Sequence, residues 1–91
     1  MQTINEFLFK ASAEGNLKVV KFLVENGASI HEWSDFPLQL AVKYGHLKVV
    51  KYLVKKGANI HLCYDDELEY AARNGHTEVV EYIKSLQKKS K

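Results

Sequence analysis

One ten-residue motif occurs three times in this sequence, at intervals of thirty residues. GNLKVVKFLV at positions 15–24 returns as GHLKVVKYLV at 45–54 and, with more changes, as GHTEVVEYIK at 75–84. A fixed period of about 20 to 50 residues is typical of stacked units, each too small to bury its own apolar face. The chain is therefore expected to form a short solenoid, a class of protein that usually works by presenting a surface.

Length and composition exclude several classes of protein. The 91 residues allow one domain, and the formal net charge of +2 is too small to indicate a polyanionic partner. The single cysteine, Cys63, permits no internal disulfide and favours a reducing compartment. The first residues lack the pattern of a secretory signal, and no apolar run approaches the ~18 residues of a membrane span. We expect a cytoplasmic protein with no membrane span.

The first half of the middle unit has the pattern of a helix. Leu38, Ala41 and Val42 recur at helical spacing. Asp35 is placed to cap the helix N-terminus, and Pro37 falls in the first turn, where a missing N–H costs nothing. Asn5 and Asp65 occupy the position of Asp35 in the other units, which predicts the same cap in each.

The second half of the unit predicts an outer helix that packs antiparallel to the first. Gly45 permits the left-handed turn between them, and Gly57 ends the second helix. Along this second helix, apolar residues form one stripe and lysines form a stripe on the opposite side. The apolar stripe comprises Leu47, Val50 and Val54, widened by Val49 and Leu53, and the lysines are Lys48, Lys51 and Lys55.

The order of these signals resembles the ankyrin repeat over essentially the whole chain. The matching motifs are PLxxA at 37–41, GHLxVVxxL at 45–53 and GANI at 57–60. The resemblance implies an L-shaped stack of helix pairs with projecting loop fingers. It also implies that ligands bind the concave face, which finger tips and inner helices form.

We therefore predict an all-α fold, an ankyrin-type solenoid of three helix-turn-helix repeats with shortened finger loops. The single domain covers residues 1–91. Repeat 1 spans about 4–33, repeat 2 about 34–63 and repeat 3 about 64–88, and a polar tail covers 88–91.

Two departures from the family pattern affect the loops. The repeats are 30 residues long against about 33 in the family, so the finger is expected to be short and without a regular hairpin. His31 and His61 stand where the family usually has asparagine. This short form is similar to ankyrin repeats of large DNA viruses of amoebae, which would place the protein in the host cytoplasm.

The terminal repeats are expected to carry polar outer faces. Lys10 replaces the apolar residue that packs toward a preceding repeat, as Leu40 and Tyr70 do in the other units. Lys84 replaces the valine that packs toward a following one. These substitutions predict a complete three-repeat protein.

Residues that vary between repeats at the ends of the inner helices and in the fingers are the candidates for partner binding. Exposed tryptophan, tyrosine and arginine dominate interface energetics. The predicted contact residues are Trp33, Lys43, Tyr44, Tyr64, Arg73 and Asn74. Under the alternative interpretation, Trp33 and Tyr64 fold back over the short fingers and cover the core.

Lysines along the outer helices offer a second interpretation. They are Lys18, Lys21, Lys48, Lys51, Lys55 and Lys56. Such a basic convex face could bind nucleic acid or an anionic membrane. Glu78 and Glu81 interrupt the series in repeat 3, and no aromatic residues are expected to interleave with it as a stacking platform, so a solvated surface is favoured.

The sequence indicates neither a catalytic nor a metal site. His46 and His76 follow the turn glycines, where histidines of the family form hydrogen bonds with the backbone of the turn. His61 and Cys63 do not form the paired clusters that zinc requires. No serine or cysteine has a plausible base beside it. We expect no enzyme activity, no cofactor and no bound metal.

The resulting hypothesis is a protein–protein interaction module that binds a folded protein or peptide on its concave face. We expect an unidentified protein partner, no nucleic acid and a monomeric state. The alternatives are the basic convex face described above and a structural or self-associating repeat.

Overall fold

The fold was examined in a computed structural model that describes residues 2–63 and 65–89. The described residues form six α-helices and one short 3-10 turn (Ile60–Leu62), with no strand among them. The helices are α1 (Ile4–Glu14), α2 (Leu17–Glu25), α3 (Glu32–Lys43), α4 (Leu47–Lys55), α5 (Asp65–Arg73) and α6 (Thr77–Lys89). The predicted all-α class is confirmed, and the short second finger holds a 3-10 turn instead of a hairpin.

The helices stack as three antiparallel pairs. The inner helices α1, α3 and α5 pack side by side, and so do the outer helices α2, α4 and α6. The core between them repeats the thirty-residue period, because equivalent positions of successive pairs are buried together. These sets are Leu8, Leu38 and Leu68; Ala11, Ala41 and Ala71; Val20, Val50 and Val80; and Leu23, Leu53 and Ile83. Each buried leucine or isoleucine contributes about 1.5–3 kcal/mol.

A histidine from each following pair packs on the turn glycine of the pair before it. Gly45 adopts a left-handed conformation (φ 78°), and a Cβ added there would overlap the imidazole of His76. His46 lies against Gly15 in the same way, and its Nε2–H donates to the carbonyl of Ala13 over 2.8 Å. The expected bond from histidine to turn backbone is therefore present at His46, and it joins two neighbouring pairs.

The predicted capping role of Asn5 and Asp35 is wrong. Thr3 caps α1 in a capping box with Glu6. Asn5 is buried within α1 and ties down the finger that follows its own helix pair: its Nδ2 donates to the Ser29 carbonyl over 2.6 Å, and its Oδ1 accepts from the Ser29 N–H over 3.0 Å. The side chain therefore satisfies loop backbone that burial would otherwise leave unpaired.

Asp35 makes the equivalent hydrogen bond in the second pair, to the backbone of the finger that follows it. Its buried carboxylate accepts the N–H of Asn59 over 2.7 Å, and it also pairs with the Nδ1 of His31 at 3.0 Å. The third member of the series, Asp65, is exposed and begins α5.

Three residues near the start of α3 are left-handed. Trp33, Ser34 and Asp35 have φ values of 55°, 56° and 59°, a conformation that costs roughly 1–2 kcal/mol for each residue that is not glycine. The buried bonds of Asp35 to two finger loops hold the segment in place. Right-handed helix follows, with Pro37 in its first turn as predicted.

The two ends of the stack differ in polarity, which corrects the expectation of two polar caps. Lys84 is exposed at the trailing end and Lys10 at the leading end, as expected. The first pair nevertheless exposes four large apolar side chains, here called the leading face: Ile4, Phe7, Val19 and Phe22.

Gly45→Ala is expected to destabilise the protein by about 3 kcal/mol, because the added methyl is both strained and in conflict with His76. Gly75→Ala is the matched control, since Gly75 has a similar φ of 80° but open space around its Cβ position. The control should lose only about 1 kcal/mol. Thermal unfolding should therefore separate the two variants by at least about 8 °C.

The histidine contact is tested by repeating Gly45→Ala in a His76→Ala background. The cost of the alanine should fall there to that of Gly75→Ala, about 1 kcal/mol. An unchanged cost would show that His76 plays no part.

Ser34→Gly is expected to stabilise the protein by about 0.5–1 kcal/mol, because glycine adopts the left-handed conformation without steric cost. Ser85→Gly, at an exposed site inside α6, should destabilise it by about 1 kcal/mol. Chemical denaturation measures both. A loss of stability in both variants would contradict the left-handed segment.

Candidate binding surface

The ends of the inner helices α3 and α5 bring an amine and two phenol rings together. The Nζ of Lys43 lies 4.8 Å from the ring centroid of Tyr70 and 5.6 Å from that of Tyr44. The two rings meet edge to face at a centroid distance of 6.1 Å. A cation within about 6 Å of a ring is attracted by its negative face, so the two rings favour this orientation of the lysine. Both rings remain exposed.

Arg73 and Asn74 border this cluster at the end of α5. Arg73 pairs with Glu69 at 3.0 Å, one helical turn earlier, and both side chains are largely exposed. The Nδ2 of Asn74 donates to the carbonyl of Tyr70 over 2.8 Å. Asn74 therefore satisfies the helix end, while the arginine keeps donors free for another acceptor.

Trp33 lies in a second cluster, at the start of α3. Its ring is 5.8 Å from Phe9 and 6.0 Å from Phe36, and those two rings meet edge to face at 5.0 Å. Trp33 is nevertheless 71% exposed, so it does not cover the core. The cover interpretation is wrong for Trp33, and Tyr64 lies outside the described residues.

The two clusters share one side of α3. Phe36 and Lys43 are seven residues apart, which places them on the same helix face about 10 Å from each other. The structure therefore brings Lys43, Tyr44 and Tyr70 together, with Arg73 one helical turn beyond Tyr70, and puts Trp33 at the far end of the same inner-helix surface.

The sequence interpretation missed Tyr70, Phe9 and Phe36 as members of this surface. Tyr70 was expected to pack toward the preceding pair, and it does so on Lys43 and Tyr44, but much of its ring stays exposed. The available signal was its spacing, since Tyr70 lies three residues before Arg73 on the same helix face.

Lysines of the outer helices lie over two tyrosine rings, Tyr52 and Tyr82. The Nζ of Lys21 lies 5.8 Å from the ring centroid of Tyr52, and that of Lys56 lies 5.7 Å from it. Lys51 lies 5.6 Å from the ring of Tyr82. Both rings are half-buried between helix pairs, so the lysines cover them. Burial raises the pKa of Tyr52, and the nearby Glu25 carboxylate adds to the effect.

Cys63 is an unreactive thiol. It is buried, and its burial, with smaller effects of the Glu67 and Asp35 carboxylates, raises its pKa to about 12. The nucleophilic thiolate is therefore scarce at neutral pH. Within the described residues, no three histidine, cysteine or acidic side chains are grouped closely enough to hold a metal ion.

The last turns of α6 hold the second finger closed over Cys63. The Nε2 of Gln87 donates to the carbonyl of Ile60 over 2.9 Å and to that of Cys63 over 3.3 Å.

None of the helices in the described part of the chain combines the length and apolarity needed to cross a bilayer.

Gln87→Ala is expected to speed the labelling of Cys63 by a thiol reagent about tenfold, because it removes two hydrogen bonds of about 0.5–1.5 kcal/mol each and lets the finger open. Asn26→Ala is the control, since it also removes a side-chain amide bond, from Nδ2 to the Phe22 carbonyl, in another helix pair. Equal labelling rates in the two variants would show that the hydrogen bonds of Gln87 do not hold the second finger closed.

Comparison with known proteins supports the resemblance. The family description "Ankyrin repeats (3 copies)" matches residues 8–91. A search of curated protein sequences gives no significant match. Ankyrin repeats are generally non-catalytic modules for protein–protein interaction. Since the match spans nearly the whole chain and the helix pairs agree with it, the chain belongs to the ankyrin repeat family.

Proposed function

We propose that this protein binds a folded protein or peptide through the concave face formed by its inner helices and fingers. The supporting observation is the position of Lys43 over the rings of Tyr44 and Tyr70. The proposed contact residues are Trp33, Lys43, Tyr44, Tyr64, Arg73 and Asn74, and we add Tyr70 because its exposed ring packs against Lys43 and Tyr44.

The chemistry of this surface suits a protein partner. Tyrosine, tryptophan and arginine provide most of the energy at interfaces, since large rings lose little conformational freedom when they are covered. Lys43 is already oriented by the two rings, which lowers the entropic cost of ordering it on binding.

The size of the surface sets the expected affinity. Three short repeats offer roughly 600–900 Å² on this side of the molecule, the lower part of the range for specific complexes. Area alone does not determine affinity, but a surface of this extent favours dissociation constants nearer micromolar than nanomolar.

The test is affinity capture from cell lysate followed by mass spectrometry. Wild type is compared with Lys43→Glu/Tyr44→Ala/Arg73→Glu, after both have been shown to melt cooperatively. At least one protein held by the wild type should be lost about tenfold or more in the variant, because charge reversal and ring removal together cost more than 1.4 kcal/mol.

The matched control is Lys48→Glu/Lys55→Glu, which reverses two exposed charges on the outer helices. Partners should be retained by this variant. Captures lost with the control but kept by the inner-helix variant would instead support the basic convex face, and identical captures from all three proteins would contradict both surfaces.

A further inference from the structure

Lys43 is half-buried, and the described part of the chain offers its charge no carboxylate partner. Its Nζ forms no ion pair within residues 2–63 and 65–89, and it lies 4.8 and 5.6 Å from the ring centroids of Tyr70 and Tyr44. A ring face attracts an ammonium but accepts hydrogen bonds only weakly. The amine has three N–H donors and no acceptor, so a negatively charged oxygen is the group that satisfies it best.

The other basic residues of the inner helices are less suited to bind an anion. These helices carry Lys10, Lys43 and Arg73. Arg73 is already paired with Glu69 at 3.0 Å, and Lys10 is exposed to water. Part of the water around Lys43 is already displaced, so an anion interacts with it more strongly than with a fully exposed lysine.

Acidic residues of the inner helices disfavour a polyanion on this surface. Helices α1, α3 and α5 together carry eight aspartates and glutamates against three basic residues, whereas α2, α4 and α6 carry eight lysines against three glutamates. Asp65, Asp66 and Glu67 lie in the first turn of α5, two turns before Arg73. A nucleic acid or an anionic membrane would set many negative charges against these carboxylates. An isolated negative charge fits this surface better.

We infer that the partner presents a single aspartate or glutamate side chain to Lys43, in a segment whose neighbouring residues are neutral or basic. The carboxylate accepts hydrogen bonds from Nζ and lies beside the exposed rings of Tyr44 and Tyr70. One unpaired ammonium matches one negative charge, whereas a phosphate group carries nearly two. This inference rests on the proposed function, because it names the group that the concave face recognises.

The probe is a displayed library of random peptides about 12 residues long, since an extended peptide of that length spans the molecule, whose longest dimension is 36 Å. Peptides selected on the wild type should share one aspartate or glutamate with no second acidic residue within about two positions. Selection on Lys43→Gln, after it has been shown to melt cooperatively, should not enrich this acidic residue.

Titration of an enriched peptide, followed by fluorescence anisotropy, measures the contact itself. Replacing the acidic residue of the peptide by its amide should weaken binding to the wild type about tenfold, and Lys43→Gln should weaken binding of the original peptide about as much. The two changes together should cost little more than either one, because they remove the same contact. The change in the peptide cannot unfold the protein, so it tests the contact even where Lys43→Gln is unstable.

Lys48→Gln is the matched control, because it neutralises an exposed lysine on an outer helix. It should bind the enriched peptides like the wild type. Losses that simply add when Lys43 and the acidic residue are changed together would overturn the inference, and so would a library that enriches no sequence.

Trp33→Ala/Arg73→Ala separates this inference from the proposed function. Enriched peptides that bind this variant weakly, yet hold no acidic residue or do not respond to its replacement, would show that the concave face binds and that only the acidic contact is wrong. Peptides that bind this variant and Lys43→Gln as tightly as the wild type would contradict both proposals.

Discussion

The structure depends on contacts between neighbouring helix pairs. A single pair has its apolar side chains on two sides, so it is stable only where another pair packs against it. The buried leucines, valines and alanines fall at equivalent positions of all three pairs for this reason. The turn glycines and the histidines that cover them belong to the same contact: each glycine lies in one pair and its histidine in the next.

Regular features of this contact could be predicted because they repeat. The helix pairs, the turns at Gly15 and Gly45 and the short finger all follow from a thirty-residue period read together with helical spacing. The bond of His46 to turn backbone was predicted in the same way. Three copies of a pattern separate its structural positions from the others better than one copy can.

Features found in only one repeat could not be predicted in this way. The left-handed segment around Ser34 depends on the buried bonds of Asp35 to two loops, and an aspartate before a helix ordinarily suggests a cap. The exposure of Tyr70 depends on how far Lys43 extends over its ring. The apolar leading face was missed because one lysine, Lys10, was taken to represent the whole end of the stack.

The same reasoning applies to the candidate site. The residues of the candidate site were chosen because they vary between repeats. Such variation identifies positions that core packing does not constrain, but it does not show which residues they contact. The structure supplies the grouping: Lys43, Tyr44 and Tyr70 form one cluster with Arg73 at its edge, and Trp33 belongs with Phe9 and Phe36. Each cluster combines a residue from one helix pair with a residue from the next, so the surface exists only in the stacked protein.

The contact between Gly45 and His76 also sets an order on sequence change. A smaller residue in place of the histidine leaves the glycine undisturbed, whereas a side chain at Gly45 has no room until the imidazole is gone. At each such pair, the two substitutions therefore avoid a clash in one order only: the histidine has to be replaced before the glycine. The last turn, Gly75, has no such partner against it, and among the turn glycines between paired helices it is the one whose replacement needs no earlier change elsewhere.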